Sequence, residues 1–333
     1  MSAEFNVAIV GATGAVGVEL LQLLEERQFP LRGLKLLASP KSVGKVLKFK
    51  GEELPVEAVS KNSFGGVDVA LFSAGATTSQ EFAQYAVSAG AVVIDNSSAF
   101  RMQNDIPLVV PEINSKDIQN HPGIIANPNC TTIIALMALF PLHRAFRVKR
   151  VIASSYQAVS GAGAKAIQEL SDQTKAYFAG ERIAPAVFPH PIAFNVLPQV
   201  DVFLDNGYTK EEMKFVNESR KIMHHPTLRA SITCARVPVF RAHSVSMSVE
   251  FEQPVTVERA RDVLGKFPGL EVVDDPNSKS YPMPLEVAGT MNCQVGRLRA
   301  DSALENGLTF WVCGDQLLKG AALNALQIAE ALT

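Results

Sequence analysis

Along the first third of the chain, short apolar runs alternate with segments whose apolar residues recur every three or four positions. Phe5–Val10 reads as a strand, Ala15–Arg27 as an amphipathic helix and Leu34–Ala38 as a second strand. Val67–Phe72 is an apolar strand of the fully buried kind, Thr77–Ser88 a helix and Ala91–Asp95 another strand. Apolar strands separated by helices predict a mostly parallel sheet covered on both faces, a doubly wound α/β domain of Rossmann type.

After residue 130 the texture changes. Val151–Val159 and Ser231–Val239 predict long strands, and His243–Glu252 alternates cleanly. His243, Val245, Met247, Val249 and Phe251 fall on one face, with Ser244, Ser246, Ser248 and Glu250 on the other. That period of two predicts a largely antiparallel sheet with one polar face, in an α+β domain. Phe188–Asn206 is rich in proline and long for a loop, which marks it as a lid or an interface segment. Asp315–Ala331 places Leu317, Leu318, Ala321, Leu323, Ala325, Leu326, Ile328 and Ala329 at helical spacing. It predicts a capped amphipathic helix returning to the first domain. The expected division is 1–130 with 315–333 as one domain, and 131–314 as a catalytic and dimerisation domain.

Glycines give the first domain its chemistry. Gly11-Ala12-Thr13-Gly14-Ala15-Val16-Gly17 directly follows the first strand and opens the first helix. Glycines there permit positive φ and close approach of the backbone to a pyrophosphate, with the helix N-terminus facing the anion. The spacing is Gly-x-x-Gly-x-x-Gly, not the usual Gly-x-Gly-x-x-Gly, but it lies in the required strand–loop–helix context. NAD sites usually carry an Asp or Glu at the end of the second strand. Here that end reads Ala38-Ser39-Pro40-Lys41-Ser42, with hydroxyls, a lysine and no acid. Ser39, Lys41 and Ser42 suit a 2′-phosphate, so NADP is the expected cofactor.

The second domain opens on a cysteine. Asn127-Pro128-Asn129-Cys130-Thr131-Thr132 sets Cys130 where a Pro/Asn break meets the apolar run Ile133–Phe146. Proline and asparagine supply the break and the cap, placing Cys130 in the first turn of a helix. Unpaired N–H groups and the positive end of the dipole favour a thiolate there. Cys130 is thus a candidate nucleophile, although a buried core cysteine is the commoner fate.

Composition narrows the classes. The chain has 333 residues, enough for two cores, and a net charge of −2 with no dense Lys/Arg block, which argues against nucleic acid or an acidic membrane as partner. Cys130, Cys234, Cys293 and Cys313 lie far apart without a Cys-x-x-Cys, so neither a disulfide framework nor a zinc site is expected and a reducing cytoplasm fits. Neither a signal peptide nor an apolar stretch of the ~20 residues that span a bilayer is expected.

A cysteine nucleophile needs an acid or base, an acyl-orienting group and anion binders. His243 heads the alternating strand and is the best partner, yet its apolar face equally suits a satisfied core histidine. Arg236 lies in an apolar strand, where a buried guanidinium needs a carboxylate from substrate or protein. Gln157 ends a strand before the glycine-rich turn Ser160-Gly161-Ala162-Gly163 and can hydrogen-bond an acyl oxygen. Arg101 follows Asp95 and the loop after a parallel strand, near the edge doubly wound sheets use for ligands. Glu211 and Lys214 share one face of a helix, by default as a solvated surface pair.

Taken together, these motifs resemble the aspartate-β-semialdehyde dehydrogenases over essentially the whole chain. The resemblance is carried by the Gly11–Gly17 loop, Asn127–Thr132, Tyr156-Gln157 with Ser160–Gly163, Thr209–Lys214, and Arg236 with His243-Ser244. It implies that Cys130 forms an acyl-thioester, His243 is the acid/base catalyst and Gln157 orients the acyl group. Arg101 and Lys214 would bind phosphate, Glu211 and Arg236 the substrate's ammonium and carboxylate, and Asn129 would join the substrate site. Gly11, Thr13, Gly14, Ala15, Val16, Ser39, Lys41, Ser42, Ser160, Gly161 and Gln316 would contact NADP. The implied reaction is reversible, NADPH-dependent reductive dephosphorylation of aspartyl phosphate to aspartate semialdehyde, on the way to lysine, threonine and methionine, in a cytoplasmic homodimer. The alternatives are an N-acyl-glutamyl-phosphate reductase, a catalytically silent homologue and a thiol hydrolase.

Overall fold

A computed structural model describes residues 4–332 of the chain as two compact units, 4–129 with 321–332 and 130–320. In the first, β1 (Phe5–Val10), α1 (Ala15–Glu26), β2 (Leu31–Ala38), β3 (Val46–Phe49), β4 (Glu52–Ala58), β5 (Val69–Phe72), α2 (Ala76–Ser88), β6 (Val92–Asp95), α3 (Pro111–Asn114) and β7 (Ile124–Ala126) follow in order. The sheet runs β3-β4-β2-β1-β5-β6-β7. All its pairs are parallel except the β3–β4 hairpin. The second half of β1 and all of β5 are buried, as apolar strands covered on both faces require. β1 is central, with β2 and β5 on either side. That reversal of strand order puts a crevice beyond its carboxyl end.

β3, β4 and β7 add to the strands that periodicity predicts. In β4 only Val56 is fully buried, Pro55 interrupts the run, and five of seven residues are exposed to solvent on a sheet margin. A strand with one buried side chain has no alternation to read, and β7 is only three residues long.

The terminal helix, Leu323–Glu330, belongs to this unit. Its Glu330 pairs with Arg27 at the end of α1 (2.7 Å), and Gln327 donates to Glu112 of α3 (2.9 Å). The predicted amphipathic helix over 315–331 is corrected here in two ways. A wider, π-type turn over Leu318–Ala322 precedes the regular helix, and that helix is buried on nearly every side with no side-chain cap. Asn324 explains part of the burial, because its amide donates to the carbonyl of Val109 and to Asn127.

The second unit comprises α4 (Cys130–Phe146), β8 (Val148–Gln157), α5 (Ala164–Ala179), α6 (Lys210–Ile222), β9 (Arg229–Arg236), β10 (His243–Phe251), α7 (Val257–Gly265), β11 (Leu270–Val272), α8 (Pro284–Val287), β12 (Cys293–Ala300) and β13 (Gly307–Gly314). Its sheet runs β11-β12-β13-β10-β8-β9. The three central pairings are antiparallel and the two outer ones parallel, a mixed sheet with an antiparallel centre. The odd positions of β10, His243 to Phe251, are all buried, as the alternation predicts. α4 packs against β8, β10 and β13 and is apolar nearly all round, the mark of a central helix.

Asp315–Gly320 stays in the second unit, because buried Asp315 accepts from Arg241 and from the N–H of Gly289 (2.7 Å). The Phe188–Asn206 segment is pinned along its middle: Leu197 exchanges two backbone hydrogen bonds with Arg236, and Ile192, Ala193 and Leu197 pack with Leu170 of α5. Among the described residues, no helix is long and apolar enough to cross a membrane.

Candidate active site

In the first unit β1 ends at Val10, and the chain turns at Gly11 with φ of 93°. A Cβ there would lie 2.5 Å from the carbonyl oxygen of Ser73, so both the conformation and the space require glycine. Gly14 is the N-cap of α1 and no side chain caps the helix, which leaves the donors of its first turn for a ligand. A cavity of about 600 Å³ opens here, lined by Gly11, Thr13, Gly14, Ser39, Ser73 and Thr78, with one carboxylate, Glu81, also on its wall. Ser42 lies on the turn after β2, its hydroxyl 3.2 Å from that of Thr13. Ala15 and Val16 are the first residues of α1, and Lys41 is exposed on the same turn as Ser42. A bare backbone corner, an uncapped helix start and a hydroxyl-lined wall together fit a dinucleotide.

Arg101 is buried in this unit. Its Nε donates to the carbonyl of Asn127 (2.9 Å) and its Nη2 to that of Asn96 (2.8 Å), tying together the loops after β6 and β7. Asp95 beside it is fully buried and accepts from Ser79 and Ser97, both at 2.6 Å. Burial pushes its carboxyl above the usual range, with the two hydroxyls working the other way. Asn129 is buried at the end of this unit.

In the second unit Cys130 is the first residue of α4, where the Pro/Asn break predicts it. Gln157 closes β8, and its Nε2 donates to Glu211 Oε1 (3.0 Å). Glu211 stands in the first turn of α6, a helix started by a capping box between Thr209 and Glu212. One turn on, Lys214 donates to Glu211 Oε2 (3.0 Å) and to Asp201 (2.8 Å). Burial works against the Lys214 charge, but the two carboxylates more than offset it and its pKa ends above the ordinary value. The pair is no solvated surface bridge: Glu211 is 5% exposed.

Arg236 ends β9, beside the Leu197 pairing. Its Nη1 donates to the carbonyl of Ala158 (2.7 Å), and the ring of Phe188 lies 5.8 Å from the guanidinium. Burial lowers its pKa, and the Glu211 carboxylate chiefly opposes the shift. Cys234 is an inert neighbour, its thiol pushed far up by burial. His243 is fully buried, and the N–H of Ala158 donates to its Nδ1 (3.0 Å) while Nε2 is buried without a partner. Burial, then the Arg236 charge, pushes its pKa down to about 3, against weaker support from Glu211 and the Ala242 backbone. A Cβ on Gly161 would sit 3.2 Å from Nε2 and 3.0 Å from Arg236 Nη1, so this glycine keeps the space in front of both open. Gln316 accepts from the N–H of Ala242 (2.8 Å) and donates to Ser160.

The residues singled out in the sequence therefore form two groups. Gly11, Thr13, Gly14, Ser39 and Ser42 gather in the first unit, with Arg101 and Asn129 buried elsewhere in it. Cys130, Gln157, Ser160, Gly161, Glu211, Lys214, Arg236, His243 and Gln316 belong to the second. Sequence reasoning passed over Asp201, which shares Lys214, and Ala158, whose amide and carbonyl hold His243 and Arg236. Ala158 acts through its backbone and carries no side-chain signal, whereas Asp201 lies in the proline-rich segment already marked as unusual.

Comparisons with known proteins agree with this division. The family model described as "Semialdehyde dehydrogenase, NAD binding domain" matches residues 6–121, and "Semialdehyde dehydrogenase, dimerisation domain" matches 139–319. The aspartate-semialdehyde dehydrogenase of Aquifex aeolicus is 54% identical over 332 residues, covering 98% of each chain. That of Bacillus subtilis is 49% identical, covering 100% of this chain and 98% of its own. The crystal structure of aspartate semialdehyde dehydrogenase II from Vibrio cholerae complexed with ASA superposes with a TM-score of 0.97 at 45% identity, covering 99% of this chain and 98% of that one.

Proposed function

This chain belongs to the aspartate-semialdehyde dehydrogenase family, and from that premise we propose that it interconverts L-4-aspartyl phosphate and L-aspartate 4-semialdehyde through a thioester on Cys130. The observation that carries the reading is the set of buried Gln157, Glu211, Arg236 and His243 with half-buried Lys214 in the unit that Cys130 opens. A free amino acid needs a carboxylate for its ammonium and a guanidinium for its carboxylate. Glu211 and Arg236 supply them.

Cys130 attacks the acyl carbon as thiolate and phosphate leaves, its charge met by Lys214 and Arg101. Gln157 orients the acyl group, with Asn129 completing the substrate set, and His243 serves as the acid/base catalyst. The glycine loop with Thr13, Ala15 and Val16, the hydroxyls of Ser39 and Ser42, and Lys41 would hold NADP, which supplies or accepts the hydride when bound. Lys41 and the two serines suit a 2′-phosphate, and no acid ends β2. Ser160, Gly161 and Gln316 are proposed as further contacts through their backbone, since the Ser160 hydroxyl and the Gln316 amide hold each other.

We place the enzyme in the cytoplasm, in keeping with four free cysteines, and in the biosynthesis of lysine, threonine and methionine. The match to a dimerisation domain supports a homodimer. The experiment that tests substrate choice compares kcat/KM for aspartate semialdehyde with that for its N-acetylated form. The expected loss on acetylation is roughly 10²-fold or more, because Glu211 would be left without its cation. Equal rates would favour the N-acyl-glutamyl-phosphate reductase reading instead.

A further inference from the structure

We propose that Asp201 is a positioning residue for the substrate. By sharing Lys214 with Glu211, its carboxylate keeps negative charge in excess beside Glu211 for the substrate's ammonium and holds Lys214 ready for phosphate. This deepens the function proposed above and rests on it.

Without Asp201, Glu211 and Lys214 would form a closed pair. Lys214 Nζ lies 3.0 Å from Glu211 Oε2, and one carboxylate with one ammonium leaves no net charge to attract a second ammonium. Arg236 adds a positive charge close enough to act on Glu211, and the proposed reaction assigns it to the substrate's carboxylate. Asp201 changes the balance. Its Oδ2 accepts from Lys214 Nζ at 2.8 Å, so two carboxylates share one ammonium and one negative charge is left over. Among the described residues Lys214 donates only to these two carboxylates, and an ammonium carries a third N–H that can meet an anion.

The charges are all present at neutral pH. Burial works against the charge on Asp201, but Lys214 and the N–H of Val202 more than offset it, and the carboxyl ends below its ordinary value.

Asp201 is also held in place. Its backbone is left-handed, with φ of 68°, a conformation that aspartate and asparagine adopt more readily than most residues. Oδ1 accepts from the N–H of Val202 (2.8 Å). Downstream, the N–H of Lys210 donates to the carbonyl of Val202 (2.9 Å) and that of Leu204 to the carbonyl of Tyr208 (2.8 Å), a tight loop that leads directly into α6. Upstream, Leu197 is paired with Arg236. The segment is thus tied at both ends to the elements that carry Glu211, Lys214 and Arg236.

Fastening α6 is a weak reason for this carboxylate. With 25% of the Lys214 side chain and 32% of the Asp201 side chain exposed, their pairing adds little to stability. A nearby charge, by contrast, acts in opposite senses on a cation and an anion bound in one site. Removing it weakens the hold on ammonium and strengthens the hold on phosphate, whereas a loss of structure weakens both.

The test is Asp201→Asn in the full chain, at low ionic strength so that screening is small. Asparagine keeps an oxygen for Val202 and tolerates the left-handed backbone, so the charge alone is removed. KM for aspartate semialdehyde and KM for phosphate are measured in turn, the other reactants being saturating. The expected result is a pair of opposite shifts, each about 3-fold or more: KM for aspartate semialdehyde rises and KM for phosphate falls. Both rising together, both unchanged, or only one moving overturns the proposal. Should that variant not fold, Asp201→Ser, which also offers Val202 an oxygen, carries the same expectation. The function itself is checked in the unsubstituted chain. Phosphate-dependent turnover there, without opposed shifts in the variant, removes this inference alone. No turnover of aspartate semialdehyde removes the function, and this inference with it.

Discussion

The two units build their sites from different materials. The cavity of the first is shaped by backbone: a glycine corner at Gly11, an uncapped start of α1, and a few hydroxyls. The site of the second is built from charged and polar side chains, buried or half-buried, that hold one another, Gln157 to Glu211 to Lys214, with Arg236 and His243 meeting at Ala158. A backbone site binds whatever presents a phosphate and tolerates most side-chain changes outside its glycines. A site of interlocked side chains selects one substrate and runs one reaction, and it fails when any member is removed.

That contrast can be broken or sharpened by substitution. The largest effect is expected from Cys130→Ser, which should lower kcat by roughly 10⁴-fold or more. NADPH binding, followed by fluorescence, should stay nearly intact in that variant, and its loss would count against two separable sites. Next, His243→Asn should lower kcat about 10²–10⁴-fold with little change in KM, the size that a positioned acid or base contributes. An unchanged kcat would return His243 to a packing role.

The third effect is on stability. His243 binds its proton near pH 3 in the folded chain and near 6.5 when unfolded, so between those values the unfolded state holds more protons. Its contribution is complete above about pH 6.5 and is lost as pH falls. From pH 7 to 5 the native chain should lose about 2 kcal/mol more than His243→Gln in chemical denaturation, and equal losses would mean that the ring is already charged in the folded state.

A smaller effect falls on the backbone site. Gly11→Ala forces a left-handed alanine and a Cβ against Ser73, at least about 1–2 kcal/mol in stability and with loss of NADPH binding. Normal binding by that variant would show that the corner is not the cradle. The smallest is Lys41→Ala, expected to weaken NADPH by about 1 kcal/mol while sparing NADH, since Lys41 is exposed. Equal weakening of both would take Lys41 out of the 2′-phosphate site.

The same contrast explains what was legible in the sequence. The strands β1, β5 and β6 and helices α1 and α2 announce themselves, because strands buried on both faces are apolar throughout and the helices between them are periodic. The glycine loop is equally plain, since only one residue type adopts that corner. β4 was hidden by its exposed glutamates and Pro55, and the terminal helix misled because a mostly buried helix looks amphipathic when some of its polar residues, such as Asn324, are buried too. In the second unit Glu211, Lys214, Arg236 and His243 are ordinary residues in ordinary elements. Their spacing suggested a surface pair and a core histidine, and resemblance to a family gave them other roles. Only the structure brings Gln157, Glu211 and Lys214 into one hydrogen-bonded chain. No periodicity could show that a backbone amide at Ala158 donates to a ring 85 residues away in sequence.

The central claim, an acyl-thioester on Cys130 released by phosphate, is tested most directly by NADPH formation from aspartate semialdehyde with and without inorganic phosphate. Turnover that depends on phosphate, and disappears in Cys130→Ser, is the predicted result. Equal turnover without phosphate would mean that water releases the acyl group, and would contradict it.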